Sequence, residues 1–193
     1  MNLMKHFILI LVFCIPMCIW AQTKKLMVEP NHSTIGFKIS IAGFSQVSGK
    51  FTDYDLFLDW NEQNMDSSKI STMIRVKSIN TGIADRDAHL RTADFFDEER
   101  YPQITFESDS IRQINYSNFE AYGKFFMHGV TKEFVFPFQI VKIENNTIGI
   151  KARTTINRQD FGVGSEFKHS AMPDFLSDHI EVEIDFWTKR RKE

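Results

Sequence analysis

The chain has 193 residues, of which 42% are hydrophobic, and a formal net charge of −2. That weakly negative balance argues against nucleic-acid binding, which depends on neutralising many phosphates. Both cysteines, Cys14 and Cys18, lie in the first twenty-one residues, so residues 22–193 hold no disulfide, no cysteine nucleophile and no thiolate metal site.

Residues 1–21 read as a secretory signal peptide. Lys5 supplies early positive charge, Phe7 to Trp20 is an apolar run, and Ala21 is a small residue before the polar Gln22, Thr23, Lys24 and Lys25. This order of charge, apolar core and small residue marks a cleaved leader. A fourteen-residue run is too short to cross a roughly 30 Å hydrocarbon core as a helix, so no stable membrane anchor is expected after cleavage. Cys14 and Cys18 follow Phe13 and Met17, not the small neighbour that a lipidation cysteine requires. The expected destination is the periplasm. Residues 22–193 are read as a single domain of a length that can bury a core without disulfides. N-x-Ser/Thr triplets at Asn31, Asn115 and Asn145 arise easily by chance and do not decide the source.

After the leader the chain alternates with period two, which predicts strands. Ile35, Phe37 and Ile39 share a face. Tyr54, Leu56, Leu58 and Trp60 follow, then Ile70, Thr72, Ile74 and Val76. Ile104 and Phe106 begin the second half, succeeded by Phe119, Ala121, Gly123, Phe125 and Met127. Phe134, Phe136, Phe138 and Ile140 come after a turn through Gly129. Ile148, Ile150, Ala152, Thr154 and Ile156 precede a last line of Ile180, Val182, Ile184 and Phe186. Polar stretches at 61–67, 113–118 and 143–146 suit hairpin turns.

The expected fold is all-β: a single closed antiparallel barrel of eight strands. Closure removes edge strands, whereas a two-layer sandwich leaves them. Helix is expected only over Asp85 to Glu99, as one or two short turns stopped before Pro102, with Asp85 as its cap. Gly164 to Phe175 is expected to be irregular. The nineteen phenylalanines, two of them in the leader, suit the lining of a wide interior and equally the filling of a solid one.

Chemistry is hard to find. His32, His89, His128, His169 and His179 show no metal-ligand spacing. His32 and Ser33 point to opposite faces of a regular strand and cannot pair as base and nucleophile. No phosphate loop and no GxSxG elbow occur. No catalytic residue, no metal and no catalytic cofactor are therefore expected. Polar residues crowd two places. Arg86, His89 and Arg91 stand with Asp87, Asp94 and Asp97 among Leu90, Phe95 and Phe96. Arg158 and Asp160 stand beside Phe161 and Gly162. Each is read either as a structural plug over one barrel end or as a rim that meets a polar ligand head. Arg91 is expected to grip a carboxylate with its planar fork.

At these residues the sequence resembles the YceI-like family of exported bacterial proteins. The matching pieces are NHSTIGFKI from Asn31, VSGKF from Val47, SINTGIADRDAHLRTADFFDEERYPQITF from Ser78, GKFFMHGVTKEFVFPF from Gly123 and INRQDFG from Ile156. The resemblance implies a lipocalin-like eight-stranded barrel with an elongated apolar interior. It further implies a bound polyisoprenoid or related long-chain lipid, such as an isoprenoid quinone, and periplasmic location. The family's aspartate before the His–Ser pair is replaced here by Glu29, Pro30 and Asn31.

Period two and this resemblance together nominate Phe37, Ile39, Leu56, Leu58, Ile74, Phe106, Phe125, Phe136, Ile150 and Val182 as the cavity wall. Arg86, His89, Arg91, Arg158 and Asp160 are nominated for its mouth. The function expected is storage, transport or sequestration of a long-chain lipid, the one partner implied; homodimerisation is left open. Two alternatives stand beside it. One is a non-binding structural or stress-related barrel with a solid core. The other is a periplasmic enzyme using the polar residues at the mouth.

Overall fold

The computed structural model describes residues 23–144, 147–170, 172 and 175–191; the signal peptide expected over residues 1–21 lies outside them. Among these residues, eleven strand segments and one α-helix follow in chain order. They are β1 (Lys24–Val28), β2 (Thr34–Ile41), β3 (Ser45–Phe51), β4 (Tyr54–Trp60), β5 (Lys69–Arg75), β6 (Ile79–Asn80), α1 (Ala84–Leu90), β7 (Gln103–Gln113), β8 (Asn118–Met127), β9 (Val130–Glu144), β10 (Thr147–Asn157) and β11 (Leu176–Arg190).

Every pairing is antiparallel, and the ladder β1-β4-β5-β7-β8-β9-β10-β11 returns to β1. This is the closed eight-stranded barrel that the alternation predicts. The count of segments differs from that of staves, because β2, β3 and β6 extend β1, β4 and β5 upward. β11 is long enough to pair with both halves of its neighbour: Val182 lies opposite Phe37 of β2, and Thr188 opposite Val28 of β1. The sequence reading found eight of the segments and missed β1, β3 and β6.

Local chemistry explains the breaks. Pro30 cannot donate to a ladder, so the chain turns out of line at Pro30–His32. Ser33 fills the gap: its hydroxyl accepts the Trp187 N–H at 2.9 Å and donates to the Glu29 carbonyl at 2.8 Å. Glu29 caps the turn, accepting from the His32 backbone N–H at 3.1 Å and meeting the imidazole Nδ1 at 2.7 Å. A second 3₁₀ turn, Val76–Ser78, separates β5 from β6.

Two covers fold partly over the upper end. The first runs from Thr81 to Pro102 and contains α1. Asp85 does not cap that helix; Ile83 holds the cap position, and Asp85 lies in the first turn, where its charge favours the helix dipole. Asp87 instead turns back, its Oδ1 accepting from the backbone N–H and hydroxyl of Thr81. The second cover follows β10 and begins with the 3₁₀ turn Arg158–Phe161.

The lower half of the barrel is packed solid. Leu26, Leu58, Trp60, Ile111 and Ile148 are no more than 2% exposed. Phe119 stacks on Phe138 at 5.4 Å and meets the Trp60 ring edge-on at the same distance. Thr188, fully buried, exchanges two hydrogen bonds with the Ile148 backbone, so its hydroxyl is satisfied inside the floor.

A candidate ligand cavity

Above that floor the barrel is hollow. The larger chamber encloses about 270 Å³ and a smaller one below it about 60 Å³. They meet at a waist whose residues line both: Ile74, Ile104, Phe125, Phe136 and Ile184. Phe136 is the hub, with Phe106 at 5.2 Å, Phe134 at 5.1 Å and Phe125 at 6.4 Å. Leu176 at the rim and Phe186 in the lower chamber stand on the same strand. Given strand rise and the tilt of barrel strands, the cup is roughly 25 Å deep.

Its lining is apolar except at the mouth. Arg86, His89 and Arg158 are the charged or titratable side chains that reach the larger chamber. Arg158 is 5% exposed and fully engaged. Its Nε donates to the Ser177 carbonyl at 2.9 Å, and its Nη1 to the carbonyls of Val163 and Gly164 at 3.0 and 2.9 Å. Its Nη2 donates to the Leu176 carbonyl at 3.2 Å and to Asp178 Oδ1 at 3.0 Å. Burial pulls its pKa below the usual arginine value, and Asp178 opposes that. The side chain is a staple for the second cover.

His89 joins the covers. Its Nε2 meets Asp94 Oδ2 at 2.8 Å, and its ring stands edge-on to Phe95 at 5.1 Å and Phe167 at 5.9 Å. Phe95 in the first cover and Phe167 in the second are also 5.1 Å apart. Three rings therefore bridge the two segments over the mouth.

Most of the nominated wall residues fall together. Phe37, Ile39, Ile74, Phe125, Phe136 and Val182 line the larger chamber. Leu56, Phe106 and Ile150 line the smaller. Leu58 shares their face but lies one layer too deep, in the packed floor at 0% exposure. At the mouth, Arg86, His89 and Arg158 reach the chamber, whereas Arg91 and Asp160 do not. Arg91 makes one long contact of 3.7 Å to Glu98 through Nε, not a two-pronged grip. Asp160 faces outward and pairs with Lys132 at 3.0 Å. Sequence reasoning did not nominate Leu90, Phe95, Phe96, Phe167 and Phe175 for the wall, although they line the chamber from the covers. Segments without period give no sign of which side faces in. Among the described residues, no group of three or more His, Cys, Asp or Glu is placed to hold a metal ion.

A closed up-and-down barrel with an apolar cup open at one end defines a lipocalin-like architecture. Residues 26–187 match the model of the YceI-like domain, and the chain belongs to the YceI-like family. A Pseudomonas putida relative, a UPF0312 protein, is 33% identical over 148 residues, which cover 74% of this chain and 77% of the relative. The Campylobacter jejuni YCEI protein has a similar structure, with a TM-score of 0.69 at 27% identity, over 81% of this chain and 91% of that one. A polyisoprenoid binding domain from Saccharophagus degradans, implicated in plant cell wall breakdown, shares the fold with a TM-score of 0.71. It is 14% identical, over 86% of this chain and 98% of that one.

Proposed function

We propose that this protein binds a long-chain lipid, a polyisoprenoid or an isoprenoid-quinone-like molecule, inside the barrel and stores, carries or sequesters it in the periplasm. The observation that carries this reading is the cup itself: about 270 Å³ of space whose charged or titratable lining, among the described residues, stands at the rim. An apolar chamber of ~150 Å³ already takes up benzene. Each methylene moved from water into such a site gains roughly 0.8 kcal/mol, offset in part by the lost freedom of the chain. The sheet satisfies its own backbone, so the wall stays dry without help from the ligand. Binding of this kind needs no catalytic group. The polyisoprenoid assignment draws support from the family and from the Saccharophagus domain of the same fold.

Native mass spectrometry of the exported protein, followed by organic extraction, tests the reading. One co-purifying lipid with the mass spacing of an isoprenoid series is expected. A lipid-free protein that also takes up no long-chain probe would sink it. N-terminal sequencing of the same preparation tests the compartment and should begin at or near Gln22; an intact Met1 terminus in the membrane fraction would reject cleavage.

A further inference from the structure

The lower chamber exists because two inward positions carry alanine. Ala121 stands between Ile111 of β7 and Phe136 of β9, and Ala152 between Phe138 of β9 and Ile184 of β11. Both alanines are buried and line the chamber, whose other walls include Leu56, Phe106, Ile150 and Phe186. Small beside large is how narrow barrels fill their interior, but here about 60 Å³ is left over. Such a void costs stability, because the atoms around it lack partners. A valine in place of either alanine adds two carbons and would remove most of the void, at the ~25 Å³ per carbon that a cavity of ~150 Å³ gives benzene. Water is a poor occupant, since it needs about two to four polar partners. Among the described residues the lining holds no charged or titratable group, and its hydroxyls are those of Thr72 and Thr105.

We infer that the lower chamber is the tail-end pocket of the ligand site, and that Ala121 and Ala152 fix the length of chain the barrel encloses at about thirteen carbons. The inference rests on the reading of the barrel as a lipid site and adds the size class of its occupant. At ~25 Å³ per carbon the 270 Å³ chamber takes about eleven carbons and the 60 Å³ chamber about two more. That is the bulk of a single chain of about two to three isoprene units, or of a saturated chain of equal size. The chain passes the waist beside Phe136, which is half-buried and faces the open space of the larger chamber, so its ring has room to turn aside. Phe138, stacked on Phe119 at 5.4 Å, ends the path. A longer chain leaves its excess outside the mouth, where the added methylenes stay in water and contribute no burial.

The test uses the lipid-stripped exported protein and a series of straight-chain primary alcohols from octanol to hexadecanol, each below its solubility limit. Binding is read by displacement of an environment-sensitive fluorescent fatty alcohol. Affinity should rise about fourfold per methylene, the increment of burying one, and level off near thirteen carbons. Ala152→Val should bring the break down by about two carbons, so that hexadecanol binds about tenfold or more weakly than in the parent. Decanol, which fits the larger chamber, should bind as before and so report an intact barrel. Phe138→Leu removes three carbons from the floor and should move the break the other way, with hexadecanol gaining about tenfold or more. An affinity that climbs evenly to hexadecanol in the parent overturns the length limit and leaves the lipid site standing. A break that stays in place in Ala152→Val, with decanol still bound, overturns the role of the alanine. If Ala152→Val loses decanol as well, Phe138→Leu decides: a longer limit supports the pocket and an unmoved one overturns it. Failure of every alcohol to bind the parent protein overturns both this inference and the lipid reading beneath it.

Discussion

The ring of Phe37 lies across Gly49, its cross-strand partner, so closely that a β-carbon built at position 49 would stand 2.3 Å from Phe37 Cζ. A glycine in a strand weakens it unless something needs the space, and here the space is taken by a residue of the chamber wall. Phe37 also meets Phe51 at 5.7 Å, which limits where a displaced ring can go.

Gly49→Ala should therefore push the Phe37 ring toward the open space of the larger chamber and cost about 1 kcal/mol, the low end of the overpacking range, because the ring has room on its inner side. Denaturant unfolding measures it. Adding Phe37→Leu should recover most of the loss, because the two positions are coupled by contact. Additive destabilisation in the double variant would disprove the contact. Gly123→Ala should behave otherwise. There the added carbon would stand 2.1 Å from the Glu107 backbone carbonyl oxygen, and no side-chain change relieves a clash with backbone.

Charging the two chambers should give different phenotypes. Val182→Glu places a carboxylate in the larger chamber, near open solvent. It should lose long-chain lipid while keeping the β spectrum and a folded melt. Ile150→Glu places one in the 60 Å³ chamber, with Ile150 itself only 4% exposed. Too little water fits there to hydrate the charge, so this variant should lose several kcal/mol of stability. Lipid occupancy by mass spectrometry beside a thermal melt separates them. Full occupancy in both variants would end the assignment of this face to the cavity.

Arg158→Lys should loosen the second cover. An ammonium cannot reproduce a fork that reaches four carbonyls and Asp178, and at least two buried acceptors would lose a partner, at about 1–3 kcal/mol each. Limited proteolysis should cut within 163–178 faster than in the parent protein, with the barrel strands still protected. Unchanged cleavage kinetics would show that the staple is not what holds the cover.

The turn between β1 and β2 should weaken in acid. The hydrogen bond from His32, opposed in part by burial, holds the Glu29 carboxyl below the usual carboxylate range. A carboxyl lowered in the folded state stabilises above its unfolded pKa, and that contribution disappears as pH falls through the folded value. Glu29→Gln should be less stable than the parent at neutral pH, and the difference should shrink on acidification below the carboxylate range. A gap that stays constant or widens in acid would refute the linkage.

How legible these features were depends on how regular the backbone is around them. Phe136 and Ile150 could be read as wall residues because alternation along an unbroken strand fixes the face. Leu58 was read to the right face and the wrong depth, since period two distinguishes inside from outside but not hollow from filled. β3 was hidden because Ser45 and Gly49 stand where its inward face would carry apolar side chains, and Gly49 leaves room for the Phe37 ring. β6 was too short to show a period. Arg158 was visible as an unusual residue, but its acceptors come from a segment up to twenty positions away, and only the folded chain brings them together. Glu29 was visible as an acidic residue before Pro30, but its cap on the turn and its contact with the His32 ring show only in the folded chain.

The β1–β11 seam joins Leu26 to Arg190 and Val28 to Thr188, near opposite ends of the described chain, whereas the other staves pair with near neighbours in sequence. A polypeptide emerging amino-end first, from a ribosome or through a membrane pore, can zip the meander stave by stave but cannot shut it. Until the last fifteen-residue strand arrives, β1 and β10 present open backbone edges, the surfaces through which sheets aggregate. Loop closure over such a separation is also slow relative to hairpin formation. Exposure of open edges during folding is thus concentrated before one late event, the docking of β11 against β1.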